Sequence, residues 1–131
     1  MSDVRRAIFP ESGPKPGGPY SPAIASGGFV FVAGQVGNDP ATGQPAGDTI
    51  EAQTRQALKN IGTLLRAAGC DFRDVVKTNG YITRAEFFQG FNAVYREFFL
   101  QPYPARSTVV CALVNERLLV EVDVIARIPR G

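Results

Sequence analysis

An α+β fold, with two helices packed on one face of a mixed β-sheet, follows from three features of the sequence. Two stretches place apolar residues at helical intervals. Short β-branched or aromatic runs lie before, between and after them. A long C-terminal run alternates apolar and polar side chains. The resulting order is strands, helix, strand, helix, strand, strand. Right-handed strand–helix–strand crossovers favour a split βαβ or ferredoxin-like arrangement. The 131 residues suit a single domain over 1–131, burying roughly two thirds of the unfolded surface.

Residues 1–18 form an N-terminal arm. The Pro- and Gly-rich stretch 10–22 is read as ordered, because Tyr20 and Ile24 follow at once. Phe29-Val30-Phe31-Val32-Ala33, bounded by Gly27-Gly28 and Gly34, is a strand. Residues 37–47 are turn chemistry throughout. A helix opens at Asp48 or Thr49, and Asp48 with Glu51 has the spacing of a capping box. Ala57, Ile61, Leu64, Leu65 and Ala68 give it one apolar face, and Gly69 is a natural stop. Val75–Ile82 is the next strand. Thr83 and Glu86 repeat the capping-box spacing before a second helix. That helix has two apolar stripes, Phe87/Phe91/Val94/Phe98 and Phe88/Asn92/Tyr95/Phe99. Gln101-Pro102-Tyr103-Pro104 ends it. Ala105–Leu113 and Leu118–Ile128 are strands, the latter with Val120, Val122, Val124 and Ala126 opposite Glu121, Asp123 and Arg127. Helices on one face leave the other bare. Val109, Cys111 and the Val120 series are too apolar for two wet faces, so an oligomer is expected.

Composition narrows the chemistry. The chain has no His, which removes Ser-His and Cys-His nucleophile pairs, histidine acid–base catalysis and His-based metal sites. Cys70 and Cys111 are too few and too far apart for a zinc motif, so no metal is expected. Fourteen Lys+Arg against twelve Asp+Glu argue against a nucleic-acid binder. No apolar run is long enough for a membrane span, and no apolar signal segment follows Met1–Arg6. A cytoplasmic protein with no membrane partner is the expectation.

Four positions stand out. Arg106, delivered by Tyr103-Pro104-Ala105, has a planar fork of donors suited to a carboxylate or phosphate, with the Thr108 backbone N–H as a second donor. From the residues alone it reads first as a surface arginine at a strand start. Glu121 lies between valines, either on a solvated face or in a pocket that raises its pKa. Asn92 interrupts an apolar stripe, so it either caps backbone or faces a ligand. Tyr20 is a hydroxyl on a stiff loop or a packing anchor for that loop. The aromatics of the second helix are read as core.

The chain resembles the YjgF/RidA family of reactive-intermediate (enamine/imine) deaminases. The resemblance runs from about Pro19 to Arg127. It rests on Gly18-Pro19-Tyr20-Ser21, Phe31-Val32-Ala33-Gly34-Gln35 followed by Pro40-Ala41-Thr42-Gly43, and the stretch Ala52 to Ile61. Val76-Lys77-Thr78, Phe91-Asn92-Ala93-Val94-Tyr95, Phe98-Phe99, Pro104-Ala105-Arg106-Ser107 and Val120 to Ala126 complete it. The resemblance implies a chorismate-mutase-like fold in a homotrimeric barrel, with ligand clefts between subunits. It implies hydrolysis of 2-imino acids such as 2-aminoacrylate to 2-oxo acids and ammonia, without a cofactor. Arg106 and the Thr108 N–H would hold the substrate carboxylate. Glu121 and Tyr20 would place a water and move protons. Asn92, Ala33 and Gly34 would shape the cleft. Ala33 and Thr108 stand where such deaminases often carry Ser and Cys. Those departures motivate an alternative, a non-catalytic trimer that binds small carboxylates as a regulator or chaperone-like module. An endoribonuclease or translation-inhibitor role gets little support from a chain with no His and no basic stripe.

Overall fold

Local sequence sets most element boundaries in the computed structural model, which describes residues 4–129. Met1–Asp3 of the expected arm, and Arg130 and Gly131, lie outside the described residues. Strands β1 (Arg6–Ile8), β2 (Ala23–Ser26) and β3 (Phe29–Val36) come first. Helix α1 (Ile50–Ala67), strand β4 (Val75–Ile82) and helix α2 (Phe88–Phe98) follow, then strands β5 (Ala105–Val110) and β6 (Val120–Arg127). The strands form one six-stranded sheet in the order β1-β2-β3-β6-β4-β5. β6 lies antiparallel between β3 and β4, while β4 and β5 are parallel neighbours. β3–α1–β4 is thus a split βαβ unit with β6 inserted, as the sequence suggests, and β4–α2–β5 is a direct one.

Several local expectations are corrected. The arm contains a strand: β1 pairs with β2, Arg6 opposite Ala25 and Ile8 opposite Ala23. Three residues carry no readable alternation, so only the neighbouring edge decides this pairing. At α1 the cap is Thr49, in extended conformation, whose hydroxyl accepts the Ala52 N–H at 3.1 Å. The Asp48–Glu51 box is not used. The Thr83–Glu86 box is also absent, because a 3₁₀ turn at Ala85–Phe87 precedes α2 and no side chain caps either turn. Glu86 pairs with Arg84 instead, at 3.3 Å. Gly69 does close α1, with φ +83°, a conformation open to glycine. The last two strands are shorter than their apolar patterns, ending at Val110 and starting at Val120.

The core lies between the sheet and both helices. Val120, Val122, Val124 and Ala126 of β6 are buried under Leu58, Ile61, Leu64 and Leu65 of α1 and Phe91, Val94, Tyr95 and Phe99 of α2. Each such large side chain contributes about 1.5–3 kcal/mol on burial. The chain's own helices therefore cover the Val120 series, which corrects the view that this series needs a partner. The bare face is different. Phe31 and Val109 stay 46% and 47% exposed there. Among them Tyr81 Oη donates to Asp123 Oδ2 at 2.8 Å and Asn79 Nδ2 donates to Oδ1 at 2.9 Å. The bond to the Asp123 carboxylate, with some burial, pushes the Tyr81 phenol up to about 12. Cys70 and Cys111 are both free thiols, Cys70 buried and Cys111 half-buried.

Candidate functional site

Two cavities hold most of the singled-out residues. The first is built where α2 crosses the start of β5. Pro102 and Pro104 stop the helix, and β5 then pairs in parallel with β4, Arg106 beside Thr78 and Thr108 beside Gly80. That register turns Arg106 toward the helices. Its guanidinium carbon sits 4.7 Å from the Tyr95 ring centroid, 5.4 Å from Phe91 and 5.6 Å from Phe88. Aromatic faces attract a cation without neutralising it. Tyr95 is fixed in turn, since its hydroxyl and that of fully buried Thr78 are hydrogen-bonded at 2.9 Å. Burial raises the Tyr95 pKa, while the Thr78 bond and nearby Arg106 pull against it. Among the described residues no carboxylate pairs with Arg106. The cavity, about 240 Å³, is lined by Asn92, Tyr95, Arg96, Tyr103, Pro104 and Arg106. Asn92 Oδ1 is buried with no hydrogen-bond partner. An uncompensated guanidinium in a cavity is suited to a small anion such as a carboxylate.

The second cavity, about 780 Å³, is built mainly from loops and strand ends. Tyr20, Ala33, Gly34, Asn38, Asn60 and Glu121 are among its lining residues. Burial, and then the charge of Asp123, raises the Glu121 pKa above the ordinary carboxylate value. β3 breaks register between Val32 and Gln35, and Gly34 sits in that break. A Cβ on Gly34 would collide with Glu121 Oε2 and come within 2.8 Å of Cδ, so the glycine makes room for the carboxyl. The Tyr20 hydroxyl accepts the Gly17 N–H at 3.1 Å, so its own loop orients it.

Two buried amides of α1 hold the walls of this cavity. Gln53 Nε2 donates to the carbonyls of Gly47 and Arg117, both at 2.9 Å, and its Oε1 accepts the Leu119 N–H at 2.8 Å. The chain entering β6 ahead of Glu121 is thereby pinned. Asn60 Nδ2 donates to the carbonyls of Val36 and Asn38 at 3.2 and 2.9 Å.

The expected site is therefore divided. Arg106 and Asn92 meet in one cavity; Tyr20, Ala33, Gly34 and Glu121 meet in the other. Register places Glu121 opposite Tyr81 on the bare face, whereas Arg106 faces the helices. β4 separates their strands, which puts the backbones about 10 Å apart. Thr108 lines neither cavity. Its side chain turns inward like Arg106, and its hydroxyl is buried without a partner. Sequence reasoning missed the aromatic shelf under Arg106, having assigned those rings to the core alone. It also gave no role to Gln53 and Asn60. The readable signal was two amides seven residues apart on the apolar face of α1.

Fold and site together define a class: a small α+β protein whose sheet has one bare face and whose unpaired arginine is separated from a half-buried carboxyl. The chain belongs to the family described as Endoribonuclease L-PSP, the YjgF/RidA family, whose pattern matches residues 10–128. A RutC family protein of Pyrococcus horikoshii is 42% identical over 94% of this chain and 98% of its own. The human protein named 2-iminobutanoate/2-iminopropanoate deaminase is 35% identical over 94% of this chain and 90% of its own. Among solved structures, RidA from an Antarctic Psychrobacter matches with a TM-score of 0.89 and 34% identity, covering 94% of this chain and 99% of its own.

Proposed function

We propose that this protein hydrolyses reactive 2-imino acids, in equilibrium with their enamines, to 2-oxo acids and ammonia, with no cofactor. The observation that carries the reading is the uncompensated Arg106, held on aromatic faces in a cavity beside Asn92. Arg106 and the Thr108 N–H bind the substrate carboxylate and fix the imine carbon in place. Glu121 and Tyr20 place a water against that carbon. Water adds and gives one proton by way of the Glu121 carboxyl to the imine nitrogen; the hydroxyl so formed gives its proton by the same carboxyl to the amine as the C–N bond breaks, which releases ammonia and leaves the 2-oxo acid. A carboxyl whose pKa is raised by burial suits both taking and returning that proton.

The division of the site supports a shared one. In this reading the protein is a homotrimer, its bare sheet faces turned to the inside of a barrel. The Arg106 cavity of one subunit meets the Tyr20, Ala33, Gly34 and Glu121 wall of the next. The exposed Phe31 and Val109 on that bare face are consistent with such a covering.

Complementation tests both parts. Arg106→Ala and Glu121→Gln are each expected to be nearly inactive on an imine generated by an amino-acid oxidase. Unfolding and reassembling them together restores activity, because some clefts then pair an intact arginine with an intact glutamate. No recovery in assembled mixtures overturns the shared site. Full activity of Arg106→Ala overturns the deaminase reading. Binding of a 2-oxo acid with no turnover of imine assigns the non-catalytic role instead.

A further inference from the structure

The Arg106 cavity contains a second arginine that the chemistry above leaves unused. Asn92, Tyr95 and Arg96 line it from α2, at i, i+3 and i+4 spacing that puts them on neighbouring positions of one helix surface. Arg96 is exposed, so it stands at the rim. The carboxylate beside it in sequence is already taken. Arg55 holds both oxygens of Glu97, Nε to Oε1 at 3.1 Å and Nη2 to Oε2 at 2.7 Å. Among the described residues no acidic group pairs with Arg96 or with Arg106, and no Asp or Glu lines the cavity. A basic residue in the last turn of α2 complements the helix dipole. That preference explains a cation near the helix end. It does not explain why the cation lines the same cavity as Arg106.

Two arginines on one cavity make its lining basic, and a ligand with a single carboxylate answers only one of them. A ligand with two carboxylates answers both, and each fork matches a carboxylate edge. At about 240 Å³ the space equals roughly eight water volumes of ~30 Å³ each, room for a four- or five-carbon diacid. We propose that Arg96 is a specificity-determining residue that binds the side-chain carboxylate of dicarboxylic 2-imino acids, the imines of aspartate and glutamate, while Arg106 holds the carboxylate next to the imine carbon. The proposal rests on the deaminase reading and names its substrate class.

The test compares imines made by amino-acid oxidases from aspartate and from alanine, with wild type, Arg96→Ala, Arg96→Lys and Arg106→Ala. Wild type is expected to hydrolyse the dicarboxylic imine at least as efficiently as the alanine-derived one. In Arg96→Ala the ratio of the two kcat/KM values falls roughly tenfold, the scale of one charge-assisted hydrogen bond, and the change lies mainly in KM. Arg96→Lys recovers part of the ratio. An unchanged ratio overturns the proposal, as does a wild type that does not turn over the dicarboxylic imine. Equal loss on both substrates together with an altered oligomeric state on gel filtration makes Arg96 an interface group and also overturns it. Arg106→Ala separates the two readings. If it is inactive and the Arg96→Ala ratio does not move, only the substrate class fails. If it keeps full activity, the deaminase reading fails.

Discussion

The two cavities are built by opposite means. Around Arg106 the walls are mostly one helix and the segment that leads from it into β5, with three aromatic rings of α2 under the guanidinium. Around Glu121 they are mainly loops and strand ends, drawn together by Gln53 and Asn60 of α1. The cation is fixed by packing and keeps its full charge, because π-faces orient a guanidinium without cancelling it. The carboxyl is held where burial disfavours its charge, so its proton is easily exchanged. In the proposed reaction the contrast separates recognition, which gains from rigidity, from proton transfer, which needs a tuned group in a site that ligand and water can enter.

Arg106→Ala removes the recognition half. It should lower kcat/KM on a 2-imino acid by roughly 30-fold to several thousand-fold, equivalent to about 2–5 kcal/mol, with circular dichroism unchanged. Glu121→Gln removes the chemical half and should lower kcat by about 100-fold or more with a smaller change in KM.

The raised Glu121 pKa adds two pH signatures. The wild-type acid limb of kcat should be shifted upward from the ordinary carboxylate value and vanish in Glu121→Gln. Stability moves with it. Because folding favours the neutral carboxyl, its stabilisation is complete below the unfolded pKa and is lost as pH rises through the folded one. Glu121→Gln should therefore melt above wild type at neutral pH, and the gap should close as pH falls through the carboxylate range. Melting curves across pH test this directly.

Gln53→Leu leaves two carbonyls and one N–H without partners beside the path into β6, costing about 2–4 kcal/mol in urea unfolding. The surviving activity should be reduced in kcat more than in KM, since the Arg106 shelf is untouched. Gly34→Ala pushes the Glu121 carboxyl aside at about 1–3 kcal/mol of strain and should also reduce kcat. The smallest effect is expected from Tyr95→Phe. It breaks the bond to Thr78 at about 1 kcal/mol, raises KM and spares kcat. A fall in kcat there would erase the contrast between the cavities.

Most of the fold was legible because its signals are local. The Val120 series reads as one face of a strand and is buried as one face. Val75–Ile82 and the Gly69 stop match residue for residue, since periodicity and φ preference depend on near neighbours. The capping boxes failed because the same spacing fits several local geometries, and the backbone at Thr49 and Ala85 chose others. The three residues of β1 had no pattern to read. Within the candidate site, the residue types at Arg106, Asn92, Glu121, Tyr20 and Gly34 were legible from chemistry and family resemblance. Their grouping was not.

The sequence by itself determined the order of elements, the apolar faces that form the core, the absence of histidine chemistry and an arginine delivered by prolines to a strand start. Only the tertiary structure decided that Arg106 rests on Tyr95, Phe91 and Phe88, that Gln53 pins the entry to Glu121, and that arginine and glutamate face opposite sides of one sheet. The physical reason is range. Periodicity and caps act over a few residues, whereas strand order, and with it which side chains share a cavity, is set by pairings between segments distant in the chain.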